Sequence, residues 1–224
     1  MSPRSPHVNA RLREASRERI VTAAIDVLAG KGFHQATVSD ITEQAGVSRG
    51  LISYYFPTKH ALADELLDRY LEGIHQLLDV EGTPDERLSA IIDRALLAAH
   101  RTRHIQQMAL GLMIDPGTHP LYAAAEARKD RLLSELEERL RELFHSRGAE
   151  DPHLEGIMLR SLLEGVTVKL VIYADQYPLE PIRRRIHAMY QLSCPTTDLI
   201  EDQPRPAGPM RATGATPEPT GPSQ

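Results

Sequence analysis

The sequence predicts an all-α protein in two parts: a small N-terminal three-helix head containing a helix-turn-helix, and a larger C-terminal helical bundle, joined by one long helix. Three observations predict it. Apolar residues recur at i, i+3, i+4 and i+7 in most segments up to Cys194, with turn residues between them. Gly46 separates two short stripes, each opened by a hydroxyl residue suited to an N-cap, Thr37 and Ser48. Finally, Leu62, Leu66, Tyr70, Ile74 and Leu77 form a stripe too long for a small head, which reads as a rigid spoke out of it.

The elements follow in order. Residues 1–15, with Arg4, Arg11 and Arg13, read as a disordered basic arm suited to a DNA groove or simply to solvent. A first helix over about 16–30 carries Ile20, Ala23, Ala24, Val27 and Leu28 on one face; Gly32 ends it and Phe33 plugs the small core. Thr37 caps a second helix, with Val38, Ile41 and Ala45 inward. Gly46 supplies the positive φ of a tight turn over Val47. Ser48 caps a third, with Leu51, Ile52 and Phe56 inward, and after Pro57 the long fourth helix runs over about 58–78.

Thr83 and Pro84 open a fifth helix bearing Leu88, Ile91, Ile92, Ala95, Leu96 and Ala99. A sixth covers about 104–113, and one long seventh helix, about 120–146, turns Leu132, Leu133, Leu136, Leu140 and Leu143 inward. Its Glu and Arg residues face solvent. The eighth, about 152–175, is apolar nearly all round and so predicted to be buried on several sides. The ninth, about 179–194, presents Ile182, Ile186, Met189 and Tyr190 on one face. Residues 195–224 hold seven prolines and little apolar spacing, and read as a disordered tail.

Composition narrows the function. No apolar stretch approaches a membrane span, the N-terminus has no signal-like apolar region, and the single Cys194 excludes an internal disulfide. A cytoplasmic protein is expected. No phosphate-binding glycine loop or nucleophile elbow appears, and His100 and His104 lack a third ligand at useful spacing. Neither an enzyme, nor a metal site, nor a cofactor is expected. The net charge of −5 divides into +3 over residues 1–60 and −8 over 61–224. Phosphate attraction is screened beyond about 8–10 Å, so a basic head on an acidic body is compatible with DNA binding through the head.

Within the head, Arg49, Ser53, Tyr54, Tyr55 and Lys59 lie on or beside the third helix, and Gly50 allows close backbone approach. Such groups suit phosphate oxygens, base edges and thymine methyls. The string from Ala24 through VLA, KGF, ATVSDITEQAGVSRGLISYYFPTK and HAL resembles the N-terminal domain of the TetR family of bacterial transcriptional regulators, over roughly 17–70. That resemblance implies a head at 16–62, a ligand-binding and dimerisation bundle at 63–194, and a homodimer formed by the last two helices, about 152–175 and 179–194. It also implies a palindromic double-stranded DNA operator and a small-molecule effector, as in a ligand-released repressor; an activator or a ligand-independent regulator is the alternative, and a helical enzyme or a protein-interaction adaptor on the same fold ranks after it. Carried over residue by residue, Thr37 and Ser39 would meet phosphates or base edges. Ser48, Arg49, Gly50, Ser53 and Tyr54 would face the groove, and Tyr55 and Lys59 would hold phosphates. The chain departs from the family pattern at Leu51 and Ser53, which puts the base readout in question.

For the effector, candidate pocket residues are Gln107, Met108, Leu112, Met113, Tyr122, Glu164, Thr167 and Tyr173. Glu164 stands out as a carboxylate in an apolar helix, costly to bury unpaired; it would either anchor a ligand or pair with Arg160 one turn earlier.

Overall fold

Local side-chain caps set where five of the ten described helices begin. The structure, a computed structural model, describes residues 6–200. Its helices are α1 (Pro6–Gln35), α2 (Val38–Ala45), α3 (Arg49–Tyr55), α4 (Lys59–Gln76), α5 (Pro84–Arg101), α6 (Arg103–Ile114), α7 (His119–Arg128), α8 (Asp130–Ser146), α9 (Pro152–Tyr173) and α10 (Leu179–Met189), with a 3-10 turn at Ala174–Gln176. No strand occurs among the described residues. The caps at Thr37, Ser48, Thr58 and Thr83 form as their residue types predict, with capping boxes at Thr37 and Thr83.

Two apolar cores result. The first gathers Ile20, Ala24 and Leu28 of α1, Ile41 of α2, Ile52 and Phe56 around α3, and Leu62 and Leu66 of α4. Met108 and Leu112 of α6 and Ala125 of α7 complete it. The second joins Leu88, Ile92 and Leu96 of α5 to Leu140 and Leu143 of α8, Leu159 and Leu170 of α9, and Ile186 of α10. Ile74, near the end of α4, packs against both. Ion pairs brace α4 on two sides: Arg69 with Glu18 of α1, and Arg128 and Lys129 with Asp64, Asp68 and Glu72 of α4.

Five expectations are corrected. Helix α1 starts at Pro6, so residues 6–15 are helical rather than disordered. No glycine or proline interrupts His7 to Ala29, and the residues there are ordinary or good helix formers. Positions 1–5, including Arg4, lie outside the described residues. The single helix expected over 120–146 is two, broken at Lys129 (φ −105°, ψ 15°). No glycine or proline marks that break. It lets α7 follow α4 and α6 while α8 turns onto α9.

Helix α9 is not buried on several sides: Leu154, Ile157, Met158, Ile172 and Tyr173 are exposed in the single chain. On α10, Met189 is exposed, while Arg183 and His187 are buried through a shared bond to Asp93 of α5. Finally, α10 stops at Met189, and residues 195–200 are held rather than loose. Arg183 donates to the Thr197 carbonyl at 2.9 Å, and the Leu199 amide donates to Glu180 at 3.2 Å. The remaining tail residues, 201–224, lie outside the described residues.

Candidate nucleic-acid interface and interior cavity

The head is built by short-range bonds that leave one surface free. Thr37 Oγ1 accepts the Asp40 amide at 3.1 Å, and the Thr37 amide donates to Asp40 Oδ2 at 2.9 Å. Lys31 Nζ lies 2.8 Å from the same carboxylate. Lys31 first, and then the Thr37 donors, hold the Asp40 carboxyl at about 2, well below the usual carboxylate range. Helix α2 ends at Gly46 (φ 61°, ψ 40°), and the Val47 amide returns to the Thr42 carbonyl at 3.1 Å, which fixes the turn into α3. Ser48 Oγ then accepts the Leu51 amide at 3.3 Å.

The consequence is that Thr37, Ser39, Ser48, Arg49, Gly50, Ser53 and Tyr54 are all exposed, around the start of α2 and along α3. Tyr54 is 69% exposed, far more than an aromatic ring needs for packing. Both capping hydroxyls accept through oxygen and so keep an O–H to donate outward. A Cβ built on Gly50 meets no atom within 4 Å, so nothing inside the chain requires a glycine there. Leu51, expected inward, is half-buried.

Tyr55 and Lys59 are placed differently from the phosphate-holding role expected of them. The Tyr55 hydroxyl donates to the Arg13 carbonyl at 3.0 Å, and its ring packs edge-on to Tyr54 at 5.0 Å. Lys59 Nζ donates to the carbonyls of Phe33 and Ala36 at 2.6 and 2.8 Å and lies 4.4 Å from the centre of the Phe33 ring. It satisfies carbonyls at the end of α1 that helix geometry leaves without partners. Two of its three donors are therefore spent inside the head.

Between α4 and helices α5 to α9 lies a cavity of about 560 Å³. Leu71, Ile74, Ile91, Leu136, Leu140 and Leu159 form its apolar walls. Polar groups on its lining are Tyr70, Gln106, Tyr122, Glu126, Arg160, Ser161, Glu164 and Thr167. Of the residues expected here, Met113, Tyr122, Glu164 and Thr167 line the cavity and four do not. Met108 and Leu112 belong to the core shared with the head, Gln107 reaches away to the Ala29 carbonyl at 3.0 Å, and Tyr173 is exposed with Lys169 over its ring. Glu164 is not the buried carboxylate expected: its side chain is 71% exposed, at 3.9 Å from Arg160. The pairing with Arg160 is thus long, and Arg160 sits closer to Glu137, at 3.2 Å.

Burial pushes the Tyr70 hydroxyl up to about 12, with a smaller push from the charge of Glu164. Burial likewise raises Tyr122, helped by Tyr70, Glu126 and Glu164. Tyr70 was read from sequence only as a residue of the spoke, and its cavity role was missed. Its place on the α4 face toward the bundle was the available signal.

A family model described as bacterial regulatory proteins, tetR family, matches residues 20–66. Over 164 residues the chain is 30% identical to the HTH-type transcriptional regulator BetI of Klebsiella pneumoniae (strain 342), an alignment spanning 66% of this chain and 83% of that relative. The chain belongs to the TetR family. It is a DNA-binding transcriptional regulator rather than an enzyme. Among solved structures, it resembles Bacillus subtilis FadR in complex with stearoyl-CoA (TM-score 0.62, 21% identity, 77% of this chain and 96% of that one). It also resembles NalD, the secondary repressor of the MexAB-OprM multidrug efflux pump in Pseudomonas aeruginosa (0.60, 19%, 80% and 95%). These two likenesses bear on the fold: an N-terminal helix-turn-helix and a C-terminal helical domain. No helix among the described residues is long and apolar enough to cross a membrane.

Proposed function

We propose that this TetR-family chain is a homodimeric repressor that leaves a palindromic operator when a small molecule fills the cavity behind α4. One observation carries the reading. Tyr70, Leu71 and Ile74 of α4 wall the cavity, while Leu62, Ala63 and Leu66 of the same helix are core residues of the head. A helix is stiff over these four turns, so a shift at the cavity end is delivered to α3. Release follows only if the ligand binds the displaced arrangement more tightly than the DNA-bound one.

The head, 16–62, would meet DNA through Thr37, Ser39, Ser48, Arg49, Gly50, Ser53 and Tyr54. Of these, Arg49 and Tyr54 reach base edges or methyls and the hydroxyls reach phosphates. Tyr55 and Lys59 would act by holding α3 and α4 against α1. In a homodimer the two α3 helices address half-sites about 34 Å apart, or a multiple of that, so a few ångströms of spreading breaks register. The bundle, 63–194, would carry the effector and the dimer contact, although α6 lends Met108 and Leu112 to the core of the head. The exposed apolar face of α9, continued by Met189 on α10, supports a two-fold helix pairing with a second copy. Acting on DNA, the protein would work in the cytoplasm.

The test is binding to the DNA upstream of its own gene. Arg49→Ala with Tyr54→Ala, both exposed, should abolish specific retardation while the melting temperature stays within about 2 °C of the parent. Wild-type-like retardation by that double variant rejects this reading of the surface. Rising expression of the target in a deletion strain distinguishes a repressor from an activator.

A further inference from the structure

From the chemistry at the mouth of the cavity, we infer that the effector is a lipophilic cation: an amine or quaternary ammonium head on an apolar body. The inference rests on the reading of this cavity as the effector site. The deep walls are aliphatic, supplied by Leu71, Ile74, Ile91, Leu136 and Leu140, and offer an apolar body nothing but removal from water. The charged side chains and both tyrosines lie together at the other end, on α4, α7 and α9, as Tyr70, Tyr122, Glu126, Arg160 and Glu164; Gln106, Ser161 and Thr167 are the remaining polar lining.

That end is rich in acceptors and poor in cations. Glu126 has no ion pair among the described residues, and Glu164 has one contact, 3.9 Å from Arg160. Arg160 is the one cation among the described residues lining the cavity, and Glu137 holds it at 3.2 Å. Neither the Tyr70 nor the Tyr122 hydroxyl makes a hydrogen bond among the described residues, though both side chains are largely removed from solvent. Two tyrosine rings beside two carboxylates attract an ammonium through ring face and charge together. An anionic head would meet net negative charge there. The phosphates of a CoA thioester, the ligand class held by the FadR structure, would find one arginine already shared between two glutamates. Although the fold is shared, the mouth selects against that ligand class.

The experiment is calorimetric titration of the full chain with decyltrimethylammonium, decanoate and stearoyl-CoA, each below its micellar concentration. It is repeated on Glu126→Gln with Glu164→Gln, two exposed side chains whose change should leave the fold intact, as checked by circular dichroism. Expected is one decyltrimethylammonium per protomer, bound about tenfold or more tighter than decanoate, with the preference lost in the double variant. Decanoate or stearoyl-CoA binding as tightly as the cation, or a cation preference that survives both substitutions, overturns the charge inference and leaves the cavity as an effector site. If none of the three binds, the effector reading of the cavity falls together with the inference.

Discussion

The Tyr55 hydroxyl donates to the Arg13 carbonyl at 3.0 Å, tying the last turn of α3 to a turn of α1 that lies 42 residues earlier. This bond reaches beyond the residues that the family model covers, and it joins the first turns of α1 to α3, the helix proposed to meet DNA. Tyr55→Phe should lower stability by about 1 kcal/mol, the worth of one hydrogen bond. It should weaken operator binding more than that figure predicts, because α3 loses a fixed end. Urea unfolding and gel retardation on the same preparation separate the two effects; equal small changes in both would mean that the bond does not orient α3.

Lys59 is expected to act on stability first. Lys59→Met keeps the aliphatic stem but removes both bonds to the Phe33 and Ala36 carbonyls and the contact with the Phe33 ring. A loss of about 2 kcal/mol is expected. If the residue served phosphate alone, stability would be unchanged and only the salt dependence of DNA binding would fall, by about one unit of slope.

Acid should act through Asp93. Burial raises its carboxyl, but hydrogen bonds from Arg183 and His187 outweigh that and hold it below its ordinary value of 3.8. A carboxyl lowered on folding contributes stability in full above about pH 4 and loses it as pH falls toward the folded value. Thermal melts from pH 6 down to pH 3 should show this loss in the parent protein. Asp93→Asn should be less stable at pH 6 by about 3 kcal/mol, since Arg183 is left buried without its partner, and should decline less steeply below pH 4.

The exposed face of α9 makes the fourth prediction. Met158 is 55% and Ile172 61% exposed, on the same side of the helix. Met158→Asp with Ile172→Asp adds no charge to the interior of the single chain. Sedimentation at micromolar concentration should find the parent a dimer and the variant a monomer with its helical content retained. A monomeric parent would remove the dimer from the model of operator binding.

The caps of the head were legible in the chain because each depends on residues three or four apart. Thr37 with Asp40, Ser48 with Leu51 and Gly46 over Val47 need no distant partner, so residue type and spacing determine them. The same holds for the inward stripe of α5, except that Ala95 is half-buried and lines the cavity. The break at Lys129 was not legible. It carries no glycine or proline, and it arises where Arg128 and Lys129 meet three carboxylates on α4 some sixty residues earlier.

By itself, then, the sequence determined which stretches are helical, where the capped ones start, and which face of α3 stays polar, because these depend on local bonds and on a period of 3.6 residues. The tertiary structure alone decided that Lys59 serves the end of α1, that Arg183 and His187 share Asp93, and that Tyr70 rather than Met108 lines the cavity. Each of those outcomes depends on which helix faces which. Packing settles that between residues far apart in the chain, and no spacing within a single helix records it.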